Sequence, residues 1–341
     1  MIRWEYHAEN FLGMFVWVAS KSCSDACFAL KDATLDWQQA TNEINSPHMI
    51  GRLTAWLMLA GMAWACENQF AFASQELHHC SVVGDLDVRR FTSRVFHNTR
   101  MLRVWLPPGY KNRDQRSERY PVMYLNDGQN LFDVCTSIFN AQEWRVDETA
   151  TALIQSGKIP ALIIVGIDNA GKRDRPKEYL PFPDDTLKPP VLRVHGKDYP
   201  KFLLDEVMPF INREYRTDPD PVKTGLGGSS YGAGIALYTV MKHPGRFGKL
   251  LLESPSLYAH DNYLLHKADR FARWPDKMFI GVGSISEPVD DVHRFRDTLQ
   301  RQGLGIQQLL VVEQPGAAHN EEAWANRFPR ALQFLYSRPD Q

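Results

Sequence analysis

The stretch Lys223–Pro244, KTGLGGSSYGAGIALYTVMKHP, contains Gly228-Ser229-Ser230-Tyr231-Gly232, a pentapeptide of the form G-x-S-x-G. It sits where a short apolar strand should turn sharply into a helix. Upstream, Glu206–Tyr215 (EVMPFINREY) reads as an amphipathic helix and Arg216–Pro221 (RTDPDP) as a loop. Downstream, Ile235, Ala236, Leu237, Val240 and Met241 keep helical spacing until His243-Pro244 stops them. A serine on such a turn is held on a tight elbow with its Oγ exposed above the sheet. It can act as a nucleophile when a base stands nearby and donors await an oxyanion. Ordinary Gly-rich turns mimic the pattern, so its partners decide the matter.

Working outward, short apolar runs alternate with helical patterns from about residue 81. Phe91–Phe96 and Met101–Leu106 read as antiparallel strands joined by His97-Asn98-Thr99. Pro121–Leu125 (PVMYL) and Ala161–Ile167 (ALIIVGI) read as buried strands flanking a helix over Trp144–Gln155. Further strands are expected at Thr224–Leu226, Lys249–Glu253, Met278–Val282 and Gln308–Val312, with helices at Val289–Gln302 and Glu322–Tyr336. Continuous apolar strands separated by helices indicate a parallel sheet covered on both faces. The fold class is therefore α/β, a doubly wound and mostly parallel sheet with an antiparallel lead-in. One connection, Asp168–Pro200, is long and rich in Pro and charge. It leaves the C-terminal end of a central strand, where ligands bind in open α/β sheets, and reads as a substrate-side loop.

A serine hydrolase of this architecture supplies its triad in the order Ser, Asp/Glu, His, each after a later strand. After Met278–Val282 come Glu287, Asp290 and Asp291, and after Gln308–Val312 comes His319. His319 is the candidate base, oriented by a carboxylate on its far ring nitrogen. Glu287 is the first choice for that carboxylate, with Asp290 and Asp291 as alternatives. Each of these acids also suits the first turn of a helix, where the dipole favours negative charge. The oxyanion donors expected are the backbone N–H groups of Tyr231, just after the serine, and of Gln129, with Gly128 next.

At these residues the chain resembles the α/β-hydrolase esterase family that includes enterochelin (siderophore) esterases, feruloyl and acetyl xylan esterases and S-formylglutathione hydrolases. The resemblance runs from about residue 90 to the C-terminus. It is carried by RVWLPPGY, YPVMYLNDGQNLFD, the W-x-x-D of Trp144 and Asp147, IVGIDN, KEYLPF, GLGGSSYGAG, ESPSL, VGSISEP and GAAHNEEAW. It implies an α/β-hydrolase fold and a carboxylic-ester hydrolase, with Ser230 as nucleophile, His319 as base and the acidic position on Glu287. It also implies relatives that manage with a Ser-His dyad. Tyr231 stands where methionine is often seen, and Ala233 replaces a common glycine. Arg173, Tyr179 and Tyr258 are expected to shape a pocket for a small-molecule or carbohydrate ester, while charged neighbours such as Arg175 and Glu178 can equally anchor the loop by ion pairing. An acyltransferase on the same fold, or a non-catalytic binding module, remains open at this level.

Composition sets the outer limits. Lys+Arg 39 against Asp+Glu 40 gives a net charge of -1, which leaves no electrostatic footprint for nucleic acid. No His/Cys spacing marks a metal site, and the chemistry calls for no cofactor. A dinucleotide reading of GLGGSS fails, because serine stands at 230 where glycine is required. Arg52 followed by Leu53–Ala65 and two A-x-A sites has the parts of a secretory signal over residues 49–73, with 1–48 as upstream sequence and 81–341 as the main domain. On that reading the protein is periplasmic or secreted, without a membrane span in the mature chain; otherwise it is cytoplasmic. Cys80 and Cys135 lie beyond both cleavage sites, either as a disulfide or as two thiols. The oligomeric state is not encoded in any feature of the sequence.

Overall fold

Eight strands form one sheet in the order β1-β2-β4-β3-β5-β6-β7-β8. They are β1 Asp85–Thr92, β2 Thr99–Leu106, β3 Val122–Asn126, β4 Ile163–Ile167, β5 Thr224–Ser229, β6 Lys249–Glu253, β7 Lys277–Gly283 and β8 Leu309–Gln314. The computed structural model describes residues 79–112, 114, 117–138 and 142–337. The expected extension 1–48 and signal segment 49–73 lie outside the described residues. β1 and β2 run antiparallel to their neighbours, and β3 to β8 are mutually parallel. This is the mostly parallel α/β sheet with an antiparallel lead-in that the apolar runs indicated.

Strand side chains alternate between two cores, as a period of two requires. Val122, Tyr124, Ile163, Val165, Leu250, Leu252, Met278 and Ile280 face one layer. Met123, Leu125, Ile164, Leu251 and Phe279 face the other. The second layer is closed by α1 (Val146–Gln155) and α7 (Glu321–Tyr336). The first is closed by α3 (residues 199–214), α4 (Tyr231–Lys242), α5 (Ala259–Ala268) and α6 (Val289–Arg301). α3 is a continuous run of Tyr199–Lys201, a π-helical turn Phe202–Val207, and Met208–Glu214. No described helix is long and apolar enough to cross a membrane.

The structure departs from the sequence expectations most clearly in three places. The first strand ends at Thr92, and residues 93–96 turn instead of extending. There Glu206 accepts from Ser93 Oγ at 2.7 Å and Arg94 N at 3.0 Å, while Ser93 Oγ accepts from Phe96 N. These side chains satisfy backbone groups that a longer ladder would have used. The helix expected from Glu206 begins at Tyr199, where Pro200 suits a first turn. Within Asp168–Pro200 lie a short helix α2 (Arg175–Tyr179), a 3-10 turn Gly196–Asp198 and a bridge between Asp184 and Val191.

The sheet order reverses around β3, with β4 on one side and β5 on the other. Loops leaving β3 and β5 therefore face each other across a switch point, where open α/β sheets build their sites.

Candidate active site

β5 ends at Ser229, and α4 begins at Tyr231. Ser230 between them has φ 56 and ψ -127, a left-handed conformation that is costly for a residue with a Cβ. The flanking glycines explain how the strand can enter the helix so abruptly. A Cβ on Gly228 would meet the Gly232 carbonyl carbon at 2.9 Å, and one on Gly232 would meet Asp127 Oδ2 at 2.9 Å. Ser230 N donates to Glu253 O at 2.9 Å, which ties the elbow to the end of β6.

The three-residue loop Ser254-Pro255-Ser256 touches both halves of the site. Ser256 N donates to Ser230 O, and the Ser256 and Ser230 hydroxyls lie 3.5 Å apart. On the other side, Ser254 Oγ donates to Glu287 Oε1 at 2.6 Å. Glu287 Oε2 lies 2.9 Å from His319 Nδ1. The Glu287 side chain is fully buried, whereas His319 is exposed at its edge. Burial opposes ionisation of Glu287, but hydrogen bonds from His319 and Ser254 outweigh it and hold the carboxyl below its ordinary range. Asp290 and Asp291 do not reach this pair: Asp290 is exposed, and Asp291 faces Arg294 at 3.4 Å.

Opposite the elbow, Asp127 has φ 60 and leads into a 3-10 turn, Gly128–Asn130. Gly128 lies directly on β4, where a Cβ would meet the Gly166 carbonyl carbon at 2.5 Å. Gln129 Oε1 accepts from Asn169 N at 3.1 Å, which locks the turn to the loop after β4. Buried Asp127 pairs with Arg175 and accepts from Asn169 Nδ2 at 2.6 Å. Tyr231 supplies the first N–H of α4, which by its position has no acceptor within the helix.

A family model described as "Putative esterase" matches residues 93–335. The chain belongs to this esterase family. Among curated relatives, the endo-1,4-beta-xylanase/feruloyl esterase of Xylanibacter ruminicola is 24% identical over 80% of this chain and 34% of its own length. The ferri-bacillibactin esterase BesA of Bacillus subtilis is 27% identical over 45% of this chain and 53% of its own. The chain thus spans about half, or less, of these two relatives. Among solved structures, the enterobactin esterase FES from Shigella flexneri, determined in the presence of enterobactin, superposes with a TM-score of 0.58. It is 21% identical, with 75% of this chain and 60% of that chain covered. That likeness concerns the fold.

In this esterase-family chain a cavity opens beside the elbow, lined by Tyr179, Phe182, Tyr231, Ser256, His260 and Tyr263 among others. Phe182 stacks on His260 with centroids 4.9 Å apart and packs on Tyr263 at 4.4 Å. His260, Asp261 and Asn262 all have positive φ, and Asp184 Oδ2 accepts from His260 N at 2.7 Å to hold that turn. Of the pocket residues read from sequence, Tyr179 lines the cavity but is buried against Tyr199. Tyr258 is 42% exposed; burial first, and then nearby Tyr258, hold the Tyr231 hydroxyl above its ordinary range. Arg173 is not brought in: its side chain is 88% exposed and faces its neighbour Asp174. The guanidinium that enters the site is Arg175.

Several contributors escaped the sequence reading. Ser254 and Ser256 were visible only as letters of ESPSL, because a serine after a strand reads as a turn. Asp127 reads as half of an Asp-Gly turn. Phe182, His260 and Tyr263 come from two distant loops, and no spacing joins them.

Proposed function

We propose that this chain is a serine carboxylic-ester hydrolase in which Ser230 is the nucleophile, His319 the general base and acid, and Glu287 the carboxylate that orients it. The observation carrying the reading is the Glu287–His319 pair, joined to the strained Ser230 elbow through Ser254-Pro255-Ser256. Ser230 Oγ attacks the ester carbonyl carbon while its proton passes to His319 Nε2. The carbonyl oxygen becomes an oxyanion, received by the N–H groups of Tyr231 and Gln129, with Gly128 as the neighbouring donor. Collapse breaks the bond to the alcohol oxygen, which leaves with the proton from His319. Water then attacks the acyl-enzyme, again giving its proton to His319, and the acid departs as Ser230 recovers its own. No step draws on a metal or cofactor.

The substrate class favoured is an ester of an aromatic acid. Phe182, Tyr231 and Tyr263 present ring surfaces to a cavity that Ser256, the neighbour of the Ser230 hydroxyl, also lines, and such rings suit a planar acyl group. The feruloyl esterase name of one relative agrees with that choice. A panel of hydroxycinnamoyl, hydroxybenzoyl and acetyl esters tests it, with Ser230→Ala as the blank. Faster turnover of aryl-acyl esters supports the assignment. Equal or faster acetyl turnover removes the aromatic specificity, and turnover by the blank removes the mechanism.

A further inference from the structure

Ser254 is an unusual residue for its position. It is fully buried and its φ is 43, a conformation that glycine adopts without the cost a side chain brings. Its hydroxyl is committed on both sides. Trp324 Nε1 donates to Ser254 Oγ at 2.9 Å, and Ser254 Oγ lies 2.6 Å from Glu287 Oε1. Trp324 also sets its ring edge-to-face against His319, with centroids 5.2 Å apart. His319, Glu287, Ser254 and Trp324 thus form a closed circuit.

Donor chemistry fixes the direction of that circuit. An indole N–H can only donate, so Ser254 Oγ must accept from Trp324. A serine hydroxyl has one proton, and the Trp324 contact leaves it free to donate to Glu287 Oε1. Glu287, receiving a proton donor at Oε1, offers Oε2 as an acceptor to His319. In neutral imidazole one nitrogen is donor and the other acceptor. His319 must then carry its hydrogen on Nδ1, which leaves Nε2 bare.

We infer that Ser254 is a positioning residue, oriented by the Trp324 indole, that fixes Glu287 and through it the Nδ1–H tautomer and ring orientation of His319. The inference rests on the proposed role of His319 as base. The donors run from the Trp324 indole through Ser254 to Glu287, where they meet the Nδ1–H of His319 from the other side. Loss of the Ser254 hydroxyl leaves Glu287 free to turn and His319 imperfectly aimed, a defect of turnover more than of binding.

The test compares wild type with Ser254→Ala, Trp324→Phe and the double variant, by steady-state kinetics on an activated ester and by proton and nitrogen NMR of 15N-histidine-labelled protein. His319→Gln assigns the ring signals. Expected in wild type is a low-field Nδ1–H proton on His319. In Ser254→Ala that proton is lost or moves upfield, kcat falls about tenfold or more, and KM stays within about twofold. Trp324→Phe shifts both readouts the same way but less, and the double variant is no slower than Ser254→Ala, as expected of residues acting through one chain. If Ser254→Ala unfolds, Ser254→Gly carries the test, because it removes the hydroxyl and relaxes the backbone. An unchanged Nδ1–H signal with unchanged kcat, or kcat losses that multiply in the double variant, overturns the inference. Turnover surviving in His319→Gln overturns instead the catalytic reading beneath it, while the NMR signal still reports on the Ser254–Glu287–His319 contacts.

Discussion

Arg175 meets Asp127 through two parallel hydrogen bonds, Nε to Oδ1 and Nη2 to Oδ2, each 2.7 Å long. The same Nη2 reaches Ser229 O at 3.4 Å, and the guanidinium lies over the rings of Tyr179 and Tyr231. Burial works against the Arg175 charge, but the Asp127 carboxylate more than restores it and keeps the guanidinium protonated. One charged group thereby ties the loop after β3 to the elbow after β5. The proposed oxyanion donors sit on these two segments, so their separation depends on this pair.

Arg175→Lys keeps the charge but cannot make the paired contact. It is expected to cost about 2 kcal/mol in urea unfolding, because one of the two charge-assisted hydrogen bonds to buried Asp127 is lost. If the oxyanion donors move apart, kcat drops by about a hundredfold. Lysine at wild-type activity and stability would show that the fork geometry is irrelevant.

Glu321 predicts a pH dependence of stability. It opens α7, is 2% exposed, and accepts from Asn130 Nδ2 at 3.1 Å. Burial pushes its carboxyl up to about 7, against the hydrogen bond from its own backbone N–H, and nearby Asp127 adds to the rise. Between the ordinary carboxylate range and pH 7 the folded state holds a proton that the unfolded chain releases. This contribution therefore falls as pH rises through that window and levels off above it. Glu321→Gln keeps the acceptor and removes the titration. Urea unfolding should show it more stable than wild type at pH 8 by up to about 3 kcal/mol, with a flatter profile from pH 5 to 8. Parallel profiles for the two proteins would remove Glu321 as the source.

The long apolar strands and the Ser230 elbow were legible because burial on both faces leaves a continuous run of Val, Ile and Leu. The meeting of Glu287 with His319 was legible because each follows a strand that is itself clear. β1 was misplaced because DLDVRRFT is an edge strand, and charge on an edge blunts aggregation while hiding the strand pattern. α2 escaped because five residues are too few to show a helical period. Asp127 and Arg175 are 48 residues apart, and nothing in either segment names the other.

Cys80 and Cys135 form a disulfide, the first of the two readings the sequence left open. It closes a sequence separation of 55 residues, for which chain entropy gives about 4 kcal/mol. The tethered segment also backs the loop after β3, since Thr136 Oγ1 donates to Gln129 O at 2.7 Å and Trp144 N to Asn130 O at 3.0 Å. Reductant should lower unfolding free energy by about 2–4 kcal/mol. A Cys80→Ser, Cys135→Ser variant should start at the lower value and ignore reductant. An identical melt with and without reductant, with the bond shown broken by thiol titration, would contradict this.

Phe182 tests the pocket without touching the reacting groups. Phe182→Ala removes the ring that stacks on His260 and faces the cavity. Expected is a loss of about tenfold in kcat/KM for aryl-acyl esters, with acetyl esters little changed. Equal losses on both would mean that Phe182 only supports the fold of this wall.

The central claim is that Ser230 is an activated nucleophile served by His319. Intact-mass measurement after brief exposure to a fluorophosphonate tests it most directly, because labelling requires the activated serine and no knowledge of the substrate. The account predicts one adduct on wild type, mapped to Ser230 by peptide sequencing, none on Ser230→Ala, and labelling slowed at least a hundredfold in His319→Ala. Labelling of Ser230→Ala at the wild-type rate, or an adduct on another residue, would contradict it.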